Sequence, residues 1–395
     1  MSDKVVSFAR AQRRPDPARV QEFAETARRL QRERQESADV VARALRETPR
    51  EEWPRLATRP DLRNSGALNR LETEVSTRLE KEPQEALLLS DLAASIAETL
   101  PPDSYPPVVL AQLRAHAWKD RAQALAYIGR YPEALEALDR AEGQLSFGSL
   151  THDRARIRYL RALTLQKVNR FEESRAMLAE CRAVFRDFGD DRLQLFCGIA
   201  EGIQLYRERA FQAAYDVFIS LIEVARALGD GVSEARLLNN LGYCAIEVGA
   251  YTAARIHLSE ATARFTERGL TIEAVRSDMT FGRLLVQTGQ IDAGLRHLHA
   301  ARGAFLMHGL SEDAGVCGLF IVEAFMASDR YTDAADLTDE ITAQFSGSLL
   351  NERALVAVRH LQSAFARHVA TVEIVRRVRV FIDALQTDPS LEFAM

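Results

Sequence analysis

The 395-residue sequence predicts an all-α fold, a right-handed superhelical solenoid of repeated helix-turn-helix units. The first observation is a period of 40. Aromatic or large apolar residues stand at Tyr131, Phe171, Phe211, Tyr251, Ile291 and Tyr331, each 40 residues after the last, with no insertion or deletion. The second is a small residue three positions after each: Ala134, Ser174, Ala214, Ala254, Gly294 and Ala334. Four further on come Leu138, Leu178, Phe218, Leu258 and Leu298, with Thr338 breaking the pattern in the last copy. The third is the placing of helix breakers. Glycines close four units at Gly189, Gly229, Gly269 and Gly309, and no proline falls between 133 and 388.

Residues 233–269 serve as one unit. Leu237, Leu238, Leu241, Ala245 and Val248 recur at helical spacing. Gly249 ends this first helix, where a residue with positive φ is wanted. Tyr251 is expected to pack into the turn. A second helix carries Ala254, Leu258, Ala261 and Phe265, and Gly269 ends it. Ala254 is expected to face Gly242, where the two helices approach most closely and a larger side chain would force them apart.

The array is expected over 66–350. Its first unit, 66–100, is degenerate: 85–100 repeats the second-helix pattern, with Ala94 lying 40 before Ala134, and 66–82 supplies the partner helix. Six units of 40 residues follow. Residues 17–65 form an N-terminal helical extension with Val20, Phe23, Ala27 and Leu30 on one face and Pro49, Pro54 and Pro60 after it. Residues 1–16 are expected to be a disordered tail. Residues 351–395 are capping helices. There Val372, Val375, Val378, Phe381, Ile382 and Leu385 make an apolar stripe that covers the last exposed face, with Arg376, Arg377 and Arg379 on the other side.

The first crossing position reads Ala122, Ala162, Gly202, Gly242, Gly282 and Val322. Small residues at two crossings, apolar residues around them and an aromatic at the turn resemble the tetratricopeptide repeat. Trp118 stands at that family's early tryptophan. The family's usual period is about 34, so both helices are lengthened here. The phrase ARALGD at 225–230 is similar to the long-helix repeats of cell-polarity adaptors and bacterial peptide-pheromone receptors. Arg121, Arg161 and Glu201 depart from the pattern, standing where leucine is usual.

The resemblance implies that the first helix of each unit lines a concave groove. Residues six before, three before and one after the first crossing position would project into it. On this chain they include Arg156 and Tyr159, then Arg236, Asn239 and Tyr243, then Arg276 and Arg283, with Asn240 beside Asn239. Asparagine both donates to and accepts from an extended peptide backbone, and arginine offers forked donors to a carboxylate. These eight residues are the candidate groove. The lysine–asparagine clamp of chaperone-binding family members is absent.

Composition narrows the class further. The chain is 47% hydrophobic and 27% charged, with a net charge of −5. Residues 1–50 carry +4, so the rest carries −9, which argues against nucleic acid as partner. No apolar run reaches the roughly 18 residues that a membrane helix needs. The N-terminus lacks the apolar stretch of a secretory signal, so a cytoplasmic location is expected. Cys181, Cys197, Cys244 and Cys317 form no C-x-x-C pair and read as buried residues of a reducing compartment. His297 and His299, two apart on a helix, point in different directions and cannot chelate well. No nucleophile, phosphate-loop or metalloprotease motif occurs. No catalytic residue, cofactor or metal is therefore expected. The expected function is that of a non-enzymatic bacterial adaptor or regulator binding a peptide or protein partner in the concave groove. The alternatives are a peptide-sensing regulator acting on a transcription factor, or the regulatory subunit of an enzyme complex.

Overall fold

A computed structural model describes residues 17–79, 82–145, 152–347 and 352–385, with 391 and 393. The expected tail, 1–16, lies outside these. The described residues are helical, with no strand among them. The contacts divide the chain into two compact units, Met1–Phe147 and Gly148–Met395.

Unit 1 holds α1 (Pro17–Glu47), α2 (Ser65–Arg78), α3 (Pro83–Thr99), α4 (Pro107–Tyr127) and α5 (Tyr131–Gln144). Prolines open α3 and α4, where the missing N–H has no helical partner to lose. α2 pairs with α3, α4 with α5, and α1 packs along α2. The contact between α1 and α2 is made of backbone. A Cβ on Gly66 would stand 2.0 Å from the Glu33 carbonyl oxygen, so only glycine fits there. One carboxylate ties the pieces together. Glu33 accepts from the Ser65 hydroxyl at 2.6 Å, from the Ser65 N–H at 3.2 Å and from the Tyr105 hydroxyl. Arg29 donates to Glu33 at 2.8 Å and lies 4.6 Å over the Tyr105 ring. Burial alone would raise the Glu33 carboxyl, but these donors hold it below its ordinary value. Arg121, in the position usual for leucine, finds a carboxylate instead: its Nε lies 2.5 Å from Asp91 on α3.

Unit 2 holds α6 (His152–Lys167), α7 (Phe171–Asp187), α8 (Asp191–Arg207), α9 (Phe211–Ala227), α10 (Gly231–Glu247) and α11 (Tyr251–Glu267). It continues with α12 (Thr271–Gln287), α13 (Ile291–Met307), α14 (Ser311–Ala327), α15 (Tyr331–Gly347), α16 (Glu352–Ala366) and α17 (Val372–Leu385). The residues that mark the 40-residue period open the second helix of each pair. Tyr251 is one of them, but it is 41% exposed and does not fill the turn as expected. Helices α6 to α14, and α16, end through a left-handed residue. Gly229 has φ 65°, its N–H donates to the Arg226 carbonyl at 3.0 Å, and the Asp230 N–H reaches back to Ala225 at 3.0 Å.

The helix crossings are tight, and at one of them the expected partner, twelve residues on, is seen: a Cβ on Gly282 would stand 3.1 Å from the Gly294 carbonyl oxygen. A Cβ on Gly242 would first meet Leu258 at 2.5 Å, sixteen residues on. Gly202 likewise meets Phe218 at 2.4 Å. Thr338, the exception in its column, stands sixteen residues after Val322, the one branched residue at the first crossing; both are fully buried. A larger residue on one helix is thus matched by a smaller one on the other. Phe185, Phe218, Phe265 and Phe305 form the buried spine of the second helices.

Helix α17 closes the end. Val375, Val378, Ile382 and Leu385 are buried, as the apolar stripe requires. It packs on α16 and returns to touch α14. Arg376 and Arg379, expected on the far side, face α14: Arg376 donates to Glu323 at 2.7 Å, and Arg379 lies 4.5 Å over the Phe320 ring.

Candidate functional site

First helices of successive pairs in unit 2 touch one another, α6 to α8, α10 to α12 and α12 to α14. Residues four apart share one face of a helix, so each first helix contributes a stripe. On α6 the stripe is Tyr159, Leu163 and Lys167; on α8 it is Ile199, Ile203 and Arg207; on α10 it is Asn239, Tyr243 and Glu247. Tyr159 and Leu163 lie half-buried over one apolar core, and Ile199 and Ile203 over the next. Burial raises the phenols of Tyr159 and Tyr206 above the ordinary tyrosine value. The Tyr206 and Tyr243 rings stand 6.3 Å apart, edge towards face. Asn239 and Asn240 are half-buried beside them. Among the described residues, nothing donates a hydrogen bond to the buried Asn239 Oδ1. An unmet buried acceptor is costly, which makes it informative about what else could bind there.

The arginines behave differently from the expectation that they await a ligand carboxylate. The protein's own carboxylates hold them. Arg236 lies 3.9 Å from Glu273, and Arg276 forks onto Asp313 at 2.9 and 3.2 Å. Burial would lower the Arg283 guanidinium, but Glu247 outweighs it and raises it. Arg283 donates to Glu247, is 11% exposed in its side chain, and lies 5.5 Å over Phe320. Each pair joins neighbouring first helices, so these arginines brace the face. Arg156 stands apart, near the start of α6, where it helps depress the Asp190 carboxyl. The structure therefore brings Asn239, Asn240, Tyr243, Arg276 and Arg283 together, with Arg236 at the edge and Tyr159 across the apolar floor.

Sequence reasoning missed Tyr206, Lys167 and Arg207. All three follow the chosen crossing positions by four or five residues, so one further helical turn would have included them. It also missed Phe320 and Arg379, which depend on the return of α17.

The remaining chemistry-bearing groups serve packing. Burial pushes the thiols of Cys197, Cys244 and Cys317 up to about 12, which leaves them protonated and poor nucleophiles. His297 Nδ1 bonds Asp278 at 2.8 Å and His257 bonds the Tyr215 hydroxyl at 3.0 Å. Among the described residues, no helix is long and apolar enough to cross a membrane.

No family model matches the sequence, and no curated protein sequence is similar to it. Solved structures are similar in fold. One is a Signal Transduction ATPase with Numerous Domains from Pyrococcus horikoshii, with a tetratricopeptide repeat sensor. The match has a TM-score of 0.58 at 14% identity and covers 91% of this chain. This chain spans about half, 53%, of that protein's length. The apo form of RapI matches with a TM-score of 0.55 at 13% identity, covering 85% of this chain and 96% of RapI. A Rap protein complexed with Competence and Sporulation Factor matches with a TM-score of 0.50 at 16% identity, covering 86% of this chain and 99% of that one. Repeats of two antiparallel helices, small residues at their crossings, glycine-terminated turns and these neighbours agree: the chain has a helical-repeat fold of the tetratricopeptide type.

Proposed function

We propose that this chain is a non-enzymatic regulator or adaptor of the bacterial cytoplasm that binds a peptide or protein partner on the first-helix face of unit 2. The observation that carries the reading is Asn239. Among the described residues its buried Oδ1 has no donor, and it stands one turn before Tyr243, whose ring meets that of Tyr206. An extended peptide supplies what is missing: backbone N–H groups for the asparagine and side chains for Ile199, Ile203 and Leu163. The thiols of unit 2 are buried, and His257 and His297 hold structural partners, which favours binding over chemistry. The fold likeness to a Rap protein complexed with Competence and Sporulation Factor supports a second form of the same reading, a peptide-sensing regulator of another protein. The test is capture of partners by the full chain, with Tyr243→Ala and Asn239→Ala as variants. Loss of the captured partners with unchanged helical content supports the face. Unchanged capture by both variants moves the site elsewhere.

A further inference from the structure

The second helices of unit 2 have grooves between them: α9 and α11 both pack on α10, α11 and α13 on α12, and α13 and α15 on α14. The 40-residue period allows these grooves to be compared side chain by side chain. Charged side chains fill the groove between α9 and α11. Glu234 accepts from Arg226 at 2.7 Å and from Arg264 at 2.9 Å, and Glu260 accepts from Arg264 at 2.7 Å. Between α13 and α15, Arg302 donates to Glu340 at 3.2 Å, and its Nε would stand 3.4 Å from a Cβ on Gly318. The groove between α11 and α13 differs. Forty residues after Arg226, Glu234, Glu260 and Arg264 come Thr266, Ala274, Ala300 and Ala304. The first three of these line a cavity of about 290 Å³, together with Thr262, Val275 and Asp278. The floor has changed in the other direction: Asp278 replaces the leucine of the preceding groove, Leu238. The Asp278 side chain is 33% exposed, and its Oδ1 bonds His297 Nδ1 at 2.8 Å. It lies about two turns into α12, past the N-terminal field that opposes a cation. The Thr262 hydroxyl donates to Ser277 at 3.0 Å and the Thr266 hydroxyl to the Thr262 carbonyl at 2.8 Å, so both oxygens keep only lone pairs to offer.

We propose that the groove between α11 and α13 is a docking site for an arginine side chain of a partner protein. The methylene stem lies along Ala274, Val275 and Ala300, and the guanidinium meets Asp278 and the two threonine oxygens. A carboxylate beside hydroxyls that can only accept calls for a cation with several donors in a fork, which arginine supplies and lysine does not. The preceding groove shows the same chemistry satisfied within the chain, by Arg226 and Arg264 on Glu234. Ligand pockets run to roughly 300–1,000 Å³, so this one suits a single side chain and not a cofactor. The site shares no residue with the first-helix face, and its partner contacts the opposite, second-helix side.

The probe is a short acetylated and amidated glycine–serine peptide with one central arginine. Its twin carries citrulline, which keeps the shape and loses the charge. Saturation-transfer NMR on the full-length chain reads contact at that side chain. The wild type is expected to bind the arginine peptide about tenfold more tightly than the citrulline one, the size of one charge-assisted contact. D278N is expected to erase the difference. T266R combined with A274E, which rebuilds the Arg226–Glu234 pair of the preceding groove, is expected to abolish the signal, and Tyr243→Ala to leave it unchanged. Equal binding of the two peptides by the wild type, or binding of neither, overturns the proposal. So does a signal that survives T266R with A274E. Loss of the signal in Tyr243→Ala overturns it too, by moving the arginine to the first-helix face. The two peptides are compared on the wild type, so misfolding of a variant does not obscure the result.

Discussion

Gly294 and Gly303 stand on the same helix, α13, and replacing each by alanine is expected to move stability in opposite directions. Alanine is the better helix former by about 0.8–1.0 kcal/mol. At Gly303 a new Cβ meets nothing within 4 Å, so most of that gain is realised. At Gly294 the same atom would stand 2.6 Å from Val286 Cγ2, 2.7 Å from the Gly282 carbonyl oxygen and 3.0 Å from the Val286 nitrogen. Two of these three are backbone atoms, so no rotamer change relieves the clash and α12 must move. Overpacking of this kind costs about 1–3 kcal/mol. Set against the propensity gain, the net loss is about 0–2 kcal/mol. For a unit of this size each kcal/mol is worth roughly 2–4 °C in melting temperature. Gly303→Ala should therefore melt slightly above the wild type and Gly294→Ala below it, by up to about 8 °C. Hydrogen exchange locates the effect: protection should fall in α12 and α13 first and then in the adjoining pairs, because each pair is stabilised by its neighbours. If Gly294→Ala melts at or above Gly303→Ala, close approach of α12 and α13 is not what that glycine serves.

In unit 1, Glu33→Ala removes the acceptor shared by Ser65, Tyr105 and Arg29. It should cost about 1–3 kcal/mol, read as faster exchange in α1. The folded Glu33 carboxyl lies below its unfolded value of 4.5, so its contribution is present above that pH and lost as pH falls through the lower folded value; acid should release α1 early in the wild type and no earlier in the variant. Lys167 has the opposite sign. Its folded value, about 8, lies below the unfolded 10.5, so the unfolded chain holds the proton more tightly and burial of the charge penalises folding. Lys167→Met should stabilise unit 2 by about 1–2 kcal/mol at pH 7, an advantage that shrinks as pH rises from 8 to 10.5, measured by denaturant unfolding. Arg276→Ala breaks a largely exposed pair with Asp313 and should cost no more than about 1 kcal/mol, with a smaller loss of partner capture than Tyr243→Ala. Removal of residues 371–395 uncovers the partners of Val375, Val378 and Ile382 and should cause association, seen by light scattering.

The repeating helices were legible because their signal is local. A residue such as Phe211 starts a helix, Ala214 fits a crossing and Gly229 ends the pair, all within one 40-residue period. The crossing register was legible at Gly282 and Gly294, twelve residues apart; the reach of Leu258 onto Gly242 was not, since a long side chain leans back along its own helix towards the partner. The row of Tyr159, Asn239 and Tyr243 could be drawn from spacing alone. The state of the arginines could not. Asp313 answers Arg276 across 37 residues only because α12 and α14 touch, and sequence spacing does not encode that contact. Arg379 over Phe320 needs α17 to fold back, and the Glu33 cluster joins residues 32 and 72 positions apart.

Constant spacing also fixes how unit 2 would give way under tension. Each helix pair supplies one 40-residue period, and 40 extended residues span at most about 130–145 Å. Pulled from its ends, the array should lengthen in steps of nearly equal size, one pair at a time, because no pair is held except by its neighbours. Helix α17 breaks that regularity. By gripping both α14 and α16 it skips the second helix between them, so the last helices form one mechanical block. A force–extension trace should show even rupture steps for the pairs before α14, then a single longer step at higher force.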